Sequence, residues 1–264
     1  MNRTAVIAAK RAHGWIVGAR RPAAPSVRLL CLPHAGGGSS AYASWAAALD
    51  DTIEVCPVEL PGRQSRWRDQ AFTESEPLVD ALATAIEDEL DTPYALFGHS
   101  MGALLAYELA RALRRRGLPE PCALFVSGGP APQLPREQPG VHDQPDDVVV
   151  AKLRTLGGLP EDVLAEPELL EVLLPAIRAD LSVCERYHHR PEPPLGCPVV
   201  AFAGAEDAEV PPTRMEAWRE QTTAEFELHV LPGDHFFVRS SQAAILETVR
   251  VALASVSGRG RGRA

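Results

Sequence analysis

The sequence Gly98-His99-Ser100-Met101-Gly102 constrains the fold of this chain more than any other stretch. It follows the apolar run 94–97 and opens a helical pattern over 103–116. A Gly-x-Ser-x-Gly sequence between a strand and a helix is typical of a sharp turn in which both glycines make room for neighbouring backbone. The pattern therefore predicts an exposed Ser100 hydroxyl, with the N-terminus of the following helix aimed at it.

Short apolar runs alternate with longer helical patterns along the whole chain. Several runs are nearly continuous in Val, Leu, Ile, Phe and Cys, which is typical of strands covered on both faces. This alternation predicts an α/β fold with a mostly parallel, doubly wound sheet. The predicted strands are 15–18, 28–32, 53–59, 94–97, 123–127, 199–203 and 226–231, and the predicted helices that alternate with them are 76–90, 101–116, 211–220 and 242–255.

One interval is too long for a simple crossover, because about 70 residues separate the fifth predicted strand from the sixth. Its helical spacing and its lack of a strand pattern predict a helical lid, inserted at about 130–195 over the active face. The alternative is a set of packing helices with no role in substrate binding. We expect the chain, 1–264, to form a single domain with a disordered tail at 257–264.

Composition narrows the possible partners and the compartment. The formal net charge of −9 argues against general nucleic-acid binding. No apolar run approaches the ~20 residues that a membrane-spanning helix needs, and no apolar signal region follows the basic N-terminus. The five cysteines are scattered and form no Cys-x-x-Cys pair, which favours buried, reduced thiols. We therefore expect a cytoplasmic protein.

Two further residues fit the chemistry of an activated serine. A serine hydroxyl needs a base, and that base needs a carboxylate that orients it. Asp207 follows the predicted strand 199–203, and His235 follows the last predicted strand. The chain order Ser100, Asp207, His235 is the order found with this type of serine turn. The triad predicted from sequence is therefore Ser100, His235 and Asp207, with the adjacent Glu206 as the alternative acid.

A glycine run after the second predicted strand supplies the remaining element. The sequence Pro33-His34-Ala35-Gly36-Gly37-Gly38 lets the main chain fold against a substrate, and no Gly-Lys-Ser/Thr follows as a phosphate-binding loop would require. We expect the backbone N–H groups of Ala35 and Met101 to form an oxyanion hole. The pair His188 and His189 lacks a third ligand at suitable spacing, so no metal site is predicted.

Four motifs lie within the region 15–255, which is most of the chain. They are Pro33-His34-Ala35-Gly36-Gly37, Glu59-Leu60-Pro61-Gly62-Arg63, Gly98-His99-Ser100-Met101-Gly102-Ala103 and Gly233-Asp234-His235-Phe236-Phe237. Together they resemble the type II thioesterases, discrete α/β-hydrolases that accompany modular polyketide synthases and nonribosomal peptide synthetases. The resemblance implies an α/β-hydrolase fold, a Ser-His-Asp mechanism and no dissociable cofactor, because the substrate carries its own phosphopantetheine.

The implied activity is editing, the hydrolysis of aberrant or stalled acyl groups from acyl or peptidyl carrier proteins. Three readings remain as alternatives: a carboxylesterase or lipase acting on oxygen esters, an acyltransferase or cyclase that excludes water, and a catalytically silent binding protein. We expect the protein to be a monomer. We also expect that it binds neither nucleic acid nor a membrane.

The arginines Arg63, Arg66 and Arg68 follow the end of a predicted strand, so their loop should flank the active face. Carrier proteins are generally acidic and their arm carries a phosphate, which suits arginine. We hypothesise that these three residues help to dock the carrier, and the alternative is a solvated loop.

Overall fold

The computed structural model describes residues 14–18, 22 and 24–259, and the side chains up to residue 254. Six parallel strands form one sheet in the order β2-β1-β3-β4-β5-β6. The strands are β1 Val27–Leu32, β2 Ile53–Pro57, β3 Tyr94–His99, β4 Leu124–Ser127, β5 Val199–Gly204 and β6 Phe226–Leu231. The predicted α/β class with a parallel sheet is therefore confirmed.

Helices connect the strands and cover both faces of the sheet. The helices are α1 Trp45–Ala48, α2 Ser75–Ile86, α3 Met101–Arg115, α4 Asp146–Leu156, α5 Glu161–Leu164, α6 Pro167–Glu185, α7 Pro212–Glu216, α8 Phe237–Ser240 and α9 Gln242–Arg259. Short 3-10 segments lie at Ser39–Tyr42, Gln64–Arg66, Glu87–Glu89 and Ala217–Gln221. Helix α9 continues through 257–259, which the sequence assigns to a disordered tail, and the rest of that predicted tail lies outside the described residues.

The predicted strand 15–18 is wrong. Only Ile16 pairs, through an isolated antiparallel bridge to Val58. Gly14 and Gly18 on either side have φ angles of 84° and 69°, a left-handed conformation that turns the chain away from an extended path. The segment is too short between these two turns to form a strand.

The core consists of two layers, one on each face of the sheet. Because side chains alternate along a strand, Leu30 and Leu32 pack in one layer while Leu29 and Cys31 pack in the other. The central strand β3 is buried along its whole length. Its final residue directly precedes Ser100, so the serine turn lies at the end of a buried central strand.

The segment between β4 and β5, residues 128–198, is called the insertion below. It contains the helices α4, α5 and α6, which share a small apolar cluster of their own. The buried members of this cluster are Val149, Leu153, Leu164, Leu174 and Ile177. The insertion thus has an apolar cluster of its own, while other residues of it, such as Ala131 and Val183, pack into one core layer of the sheet.

Candidate active site

Ser100 lies at the junction of β3 and α3, and its backbone is strained. Its φ and ψ angles are 55° and −117°, which an L-residue adopts only when its surroundings impose them. A Cβ atom at Gly98 would overlap the carbonyl of Gly102, and one at Gly102 would overlap the carbonyl of Leu32. The two glycines of the pattern are therefore required by close backbone contacts on both sides of the serine.

The structure brings the three predicted triad residues together. His235 Nε2 lies 3.0 Å from Ser100 Oγ, and His235 Nδ1 lies 2.9 Å from Asp207 Oδ2. His235 and Asp207 are both buried. The second oxygen of Asp207, Oδ1, accepts the backbone N–H groups of Glu209 at 2.9 Å and Val210 at 3.0 Å, which fixes the carboxylate. A hydroxyl, an imidazole and a carboxylate are thus aligned in one hydrogen-bonded series.

The neighbouring acids have other partners. Glu206 Oε2 accepts the backbone N–H of Gly233, so this side chain ties the β5 loop to the loop that carries His235. Asp234 Oδ1 accepts the N–H of Phe236 at 2.9 Å and shapes the turn after His235. Neither carboxylate is hydrogen bonded to the imidazole.

The glycine loop after β1 lies directly against the serine turn. A Cβ at Gly102 would also come within 2.9 Å of the carbonyl of Pro33, so the start of this loop touches the first turn of α3. Within the described residues, the N–H groups of Ala35 and Met101 donate to no acceptor. Both amides are therefore free to bind an oxygen, and the Met101 amide is at the positive end of the α3 dipole.

Two further histidines lie beside His235, and burial favours the neutral form of both. Burial lowers the pKa of His34 from its usual 6.5 to about 3, and nearby Arg239 and His235 act in the same direction. Burial likewise lowers the pKa of His99 well below its usual value. The ring of His99 is 5.4 Å from that of His235, and its Nδ1 is 3.0 Å from Ser127 Oγ. These rings pack the catalytic face without adding positive charge next to His235.

The three arginines predicted to dock a carrier do not form one surface cluster. Arg63 is buried and makes a two-pronged ion pair with Asp180, so the docking role predicted for it does not fit its environment. Arg66 is largely covered, bound to Asp69 at 2.8 Å and placed over the Trp15 ring at 4.2 Å.

Arg68 alone of the three keeps an exposed position. Its guanidinium lies 4.7 Å from the ring centre of Trp67, which is 66% exposed. An exposed tryptophan beside an arginine is a combination suited to binding another molecule.

Asp180 is the residue in this region that the sequence analysis missed. It is one of several acidic residues of α6, and it lies 117 positions from its partner Arg63. No local pattern marks it, because its role depends on a contact between distant segments.

The part of the chain that the structure describes holds neither a metal-binding cluster nor a membrane-spanning helix. Within residues 14–18, 22 and 24–259, no group of three or more His, Cys, Asp or Glu side chains could hold a metal ion. None of the helices in that part of the chain has the length and apolar character to cross a bilayer.

The arrangement can carry out nucleophilic acyl transfer. The imidazole can take the Ser100 proton, the carboxylate can hold the imidazole in the required tautomer, and two free amides can bind a developing oxyanion. This geometry is common to many acyl hydrolases and does not by itself choose the acyl substrate.

Comparisons with known proteins narrow that choice. A family model described as a thioesterase domain matches residues 27–253. The gramicidin S biosynthesis protein GrsT of Aneurinibacillus migulanus is 42% identical over 233 residues, which are 88% of this chain and 91% of that protein. The RedJ thioesterase from the prodiginine pathway of Streptomyces coelicolor is 45% identical, with a TM-score of 0.84 over 89% of this chain and 94% of that one. The type II thioesterase BorB from the borrelidin biosynthetic cluster is 40% identical, with a TM-score of 0.81 over 90% of this chain and 98% of that one.

Proposed function

The chain belongs to the type II thioesterases of polyketide and nonribosomal peptide pathways, and from that premise we propose that it edits carrier proteins. It would hydrolyse aberrant or stalled acyl groups from the phosphopantetheine arm of acyl or peptidyl carrier proteins. The protein itself brings no cofactor to this reaction, because the pantetheine thiol arrives with the substrate. The reaction takes place in the cytoplasm, in keeping with five free cysteines.

Acylation begins with Ser100. His235 Nε2 takes the hydroxyl proton as Oγ attacks the thioester carbonyl carbon, and the carbonyl electrons move onto oxygen. The amides of Ala35 and Met101 donate to this oxyanion, and each such donor contributes roughly a hundred- to thousandfold in rate. The C–S bond then breaks, the acyl group stays on Ser100, and the pantetheine sulfur leaves with the proton from His235.

Deacylation repeats these steps with water. His235 takes a proton from a water molecule, which attacks the acyl-serine carbonyl, and the same two amides bind the second oxyanion. The Ser100 oxygen leaves with the proton and the free acid departs. Asp207 accepts the Nδ1–H bond throughout, which holds the tautomer and stabilises the transient imidazolium.

The observation that carries this proposal is the position of one imidazole. His235 is within hydrogen-bond reach of both Ser100 Oγ and Asp207 Oδ2, at 3.0 and 2.9 Å. Residues that are 28 and 135 positions away from it in the chain thus meet at a single ring. The four motifs and the family supply the substrate class.

A direct test compares three substrates that carry the same acyl group: an acyl-carrier protein, an acyl-pantetheine thioester and an oxygen ester. We expect the acyl-carrier protein to be cleaved with the highest kcat/KM and the product to be the free acid. Faster cleavage of the oxygen ester would instead indicate a carboxylesterase. An ester or amide product would indicate an acyltransferase or cyclase, and failure of a fluorophosphonate to label Ser100 would indicate a silent binding protein.

A further inference from the structure

The glycine loop that carries Ala35 makes one backbone hydrogen bond of its own, from Gly37 N–H to His34 C=O at 2.9 Å, and side chains hold several of its other polar groups. Gly36 N–H donates to Asp180 Oδ2 at 2.8 Å, and Gly37 C=O accepts from Arg63 Nη1 at 2.9 Å. At the far end of the loop, Ser39 N–H donates to Glu59 Oε2 at 3.3 Å. The loop is therefore fixed by side chains from two distant segments, the motif 59–63 and helix α6.

Arg63 and Asp180 form the centre of this network. The two guanidinium nitrogens of Arg63 lie 2.5 and 2.7 Å from the two carboxylate oxygens of Asp180, and the side chains are 9% and 2% exposed. Each partner also forms a hydrogen bond outside the ion pair. Asp180 Oδ2 accepts the Gly36 N–H, and Arg63 Nη1 donates to the Gly37 C=O. An apolar pair of the same volume could fill this space but could satisfy neither the Gly36 N–H nor the Gly37 C=O.

Gln64, the residue after Arg63, has a strained backbone and contacts the same loop. Gln64 has a φ of 41°, and besides Ser100 it is the one non-glycine residue with positive φ in the described part of the chain. Its side chain donates to Ser40 Oγ at 2.7 Å and accepts from Ser39 Oγ at 3.1 Å. A strained backbone is maintained only where the surroundings impose it, and here it aims a side chain at the glycine loop.

Helix α6 of the insertion is seated on this loop. Asp180 comes from α6, and Ile177, one turn earlier, is so close that a Cβ at Gly36 would lie 3.0 Å from its Cγ1. A polar and an apolar side chain of one helix thus contact the same glycine. Any displacement of α6 would remove both contacts together.

We propose that Arg63 and Asp180 are positioning residues for the oxyanion hole. They hold the backbone at Gly36 and Gly37 so that the adjacent Ala35 N–H points at the substrate oxygen. Through Asp180, they also make that donor depend on the seating of α6. This inference rests on the proposed function, since it assigns a role within the acyl-transfer reaction of Ser100.

The test uses Asp180→Ala, Asp180→Asn and Arg63→Lys in the full chain, with a small acyl-pantetheine thioester as substrate. The readouts are kcat, KM and the affinities for two ligands. The first is a trifluoromethyl ketone, which forms a tetrahedral oxyanion with Ser100. The second is an uncleavable thioether analogue of the substrate, which forms no oxyanion.

We expect Asp180→Ala to lower kcat by about 10- to 100-fold, a fraction of what a lost donor costs, and to weaken the ketone in parallel. KM and thioether affinity should stay within about twofold, because they report ground-state binding. Asp180→Asn should lie between the alanine variant and the wild type, since it keeps one acceptor oxygen. Arg63→Lys should also lower kcat, because an ammonium cannot reproduce the planar fork.

Glu185→Gln is the matched control. Glu185 is another buried carboxylate of α6, and it accepts the N–H groups of Val141 and His142 at 3.0 and 2.9 Å without touching the glycine loop. Its substitution should leave kcat and ketone affinity within about twofold of the wild type, since it disturbs the insertion alone.

Two results would overturn the inference: wild-type kcat and ketone affinity in Asp180→Asn, or equal losses in Asp180→Asn and Glu185→Gln. If the alanine variant fails to fold, the near-isosteric asparagine variant decides. A different pair of results would contradict the proposed function itself: the wild-type enzyme does not bind the ketone, and the Ser100→Ala variant keeps its turnover.

Discussion

The two halves of the candidate site are built in different ways. The triad half, made of Ser100, Asp207 and His235, stands on strand ends of one sheet, and its side chains hold one another through bonds of 2.9 and 3.0 Å. The proposed oxyanion half contains a glycine loop whose backbone also bonds to the side chains of Arg63 and Asp180. The triad therefore depends on the sheet, whereas the oxyanion donor that we propose at Ala35 would also depend on the insertion.

The largest effect should come from the centre of the triad half. Ser100→Ala removes the nucleophile, so turnover of an acyl-pantetheine thioester should fall by at least about 10,000-fold. The melting temperature should not fall, because the change removes one oxygen and the backbone strain at φ 55° is unchanged. Hydrolysis rates and thermal unfolding of the same preparation would measure both. A residual rate within a hundredfold of the wild type would contradict the assigned nucleophile.

Asp207→Asn should reduce kcat by about 10,000-fold, because the amide favours the wrong imidazole tautomer. Glu206→Gln is its neighbour control and keeps an oxygen for the Gly233 N–H. We expect the control to lose less than about tenfold, since its side chain does not touch the imidazole. The reverse order of the two losses, measured as kcat, would assign the acid to Glu206.

In the oxyanion half, Gly36→Ala should lower kcat by about 10- to 100-fold. Gly36 has a φ of 75° and faces Ile177, so a methyl group both strains the loop and pushes on α6. Gly117→Ala is the matched control: its φ is 72° and no atom lies within 4 Å of the added carbon. It should cost about 1 kcal/mol of unfolding free energy and leave kcat unchanged. Equal kcat in the two variants would show that the loop tolerates the displacement.

The buried histidines link the glycine loop to pH. The folded-state pKa of His34 is about 3 against 6.5 in an exposed chain, so between these values the unfolded chain binds a proton that the folded chain does not. The free energy of unfolding should therefore fall as pH falls below 6.5, by up to about 1.4 kcal/mol per pH unit from this residue. His34→Gln should make the decline less steep in urea titrations between pH 7 and about 4.5. An identical slope in the variant would mean that His34 is not held neutral.

The smallest effect concerns the surface beyond both halves. We propose that Arg68 retains the docking role, so Arg68→Glu should raise KM for an acyl-carrier protein several-fold and leave a small thioester unaffected. Arg115→Glu is the control, because Arg115 lies at the far end of α3, about 20 Å along the helix from Ser100. Steady-state kinetics at low and high salt would measure the KM of both variants for the acyl-carrier protein. Equal KM changes in the two variants would show that the change in net charge, and not the position of Arg68, causes the effect.

Much of the triad half could be predicted from the sequence. The strand-to-helix placement of the serine pattern and the positions of Asp207 and His235 just after strands are local features, and parallel strands bring their carboxyl ends to one edge. The α/β-hydrolase fold and the resemblance to type II thioesterases are both confirmed. The predicted strand at 15–18 is wrong because two glycines with left-handed φ angles flank the apolar run.

The oxyanion half was only partly predictable. The glycine run indicates a loop that approaches a substrate, but the sequence predicts a surface position for Arg63 together with Arg66 and Arg68. An arginine in a loop is usually solvated, and only the partner that meets it can reverse that expectation. Here the partner is Asp180, which no spacing rule connects to the motif 59–63.

The sequence by itself determined the class of fold, the serine turn and the order of the triad. Each of these follows from local backbone requirements or from the alternation of strands and helices. Only the tertiary structure decided which charges are buried and what they hold in place. A buried charge is stable only beside its partner, and the partner of Arg63 lies 117 residues away on a helix whose own sequence gives no sign of that contact.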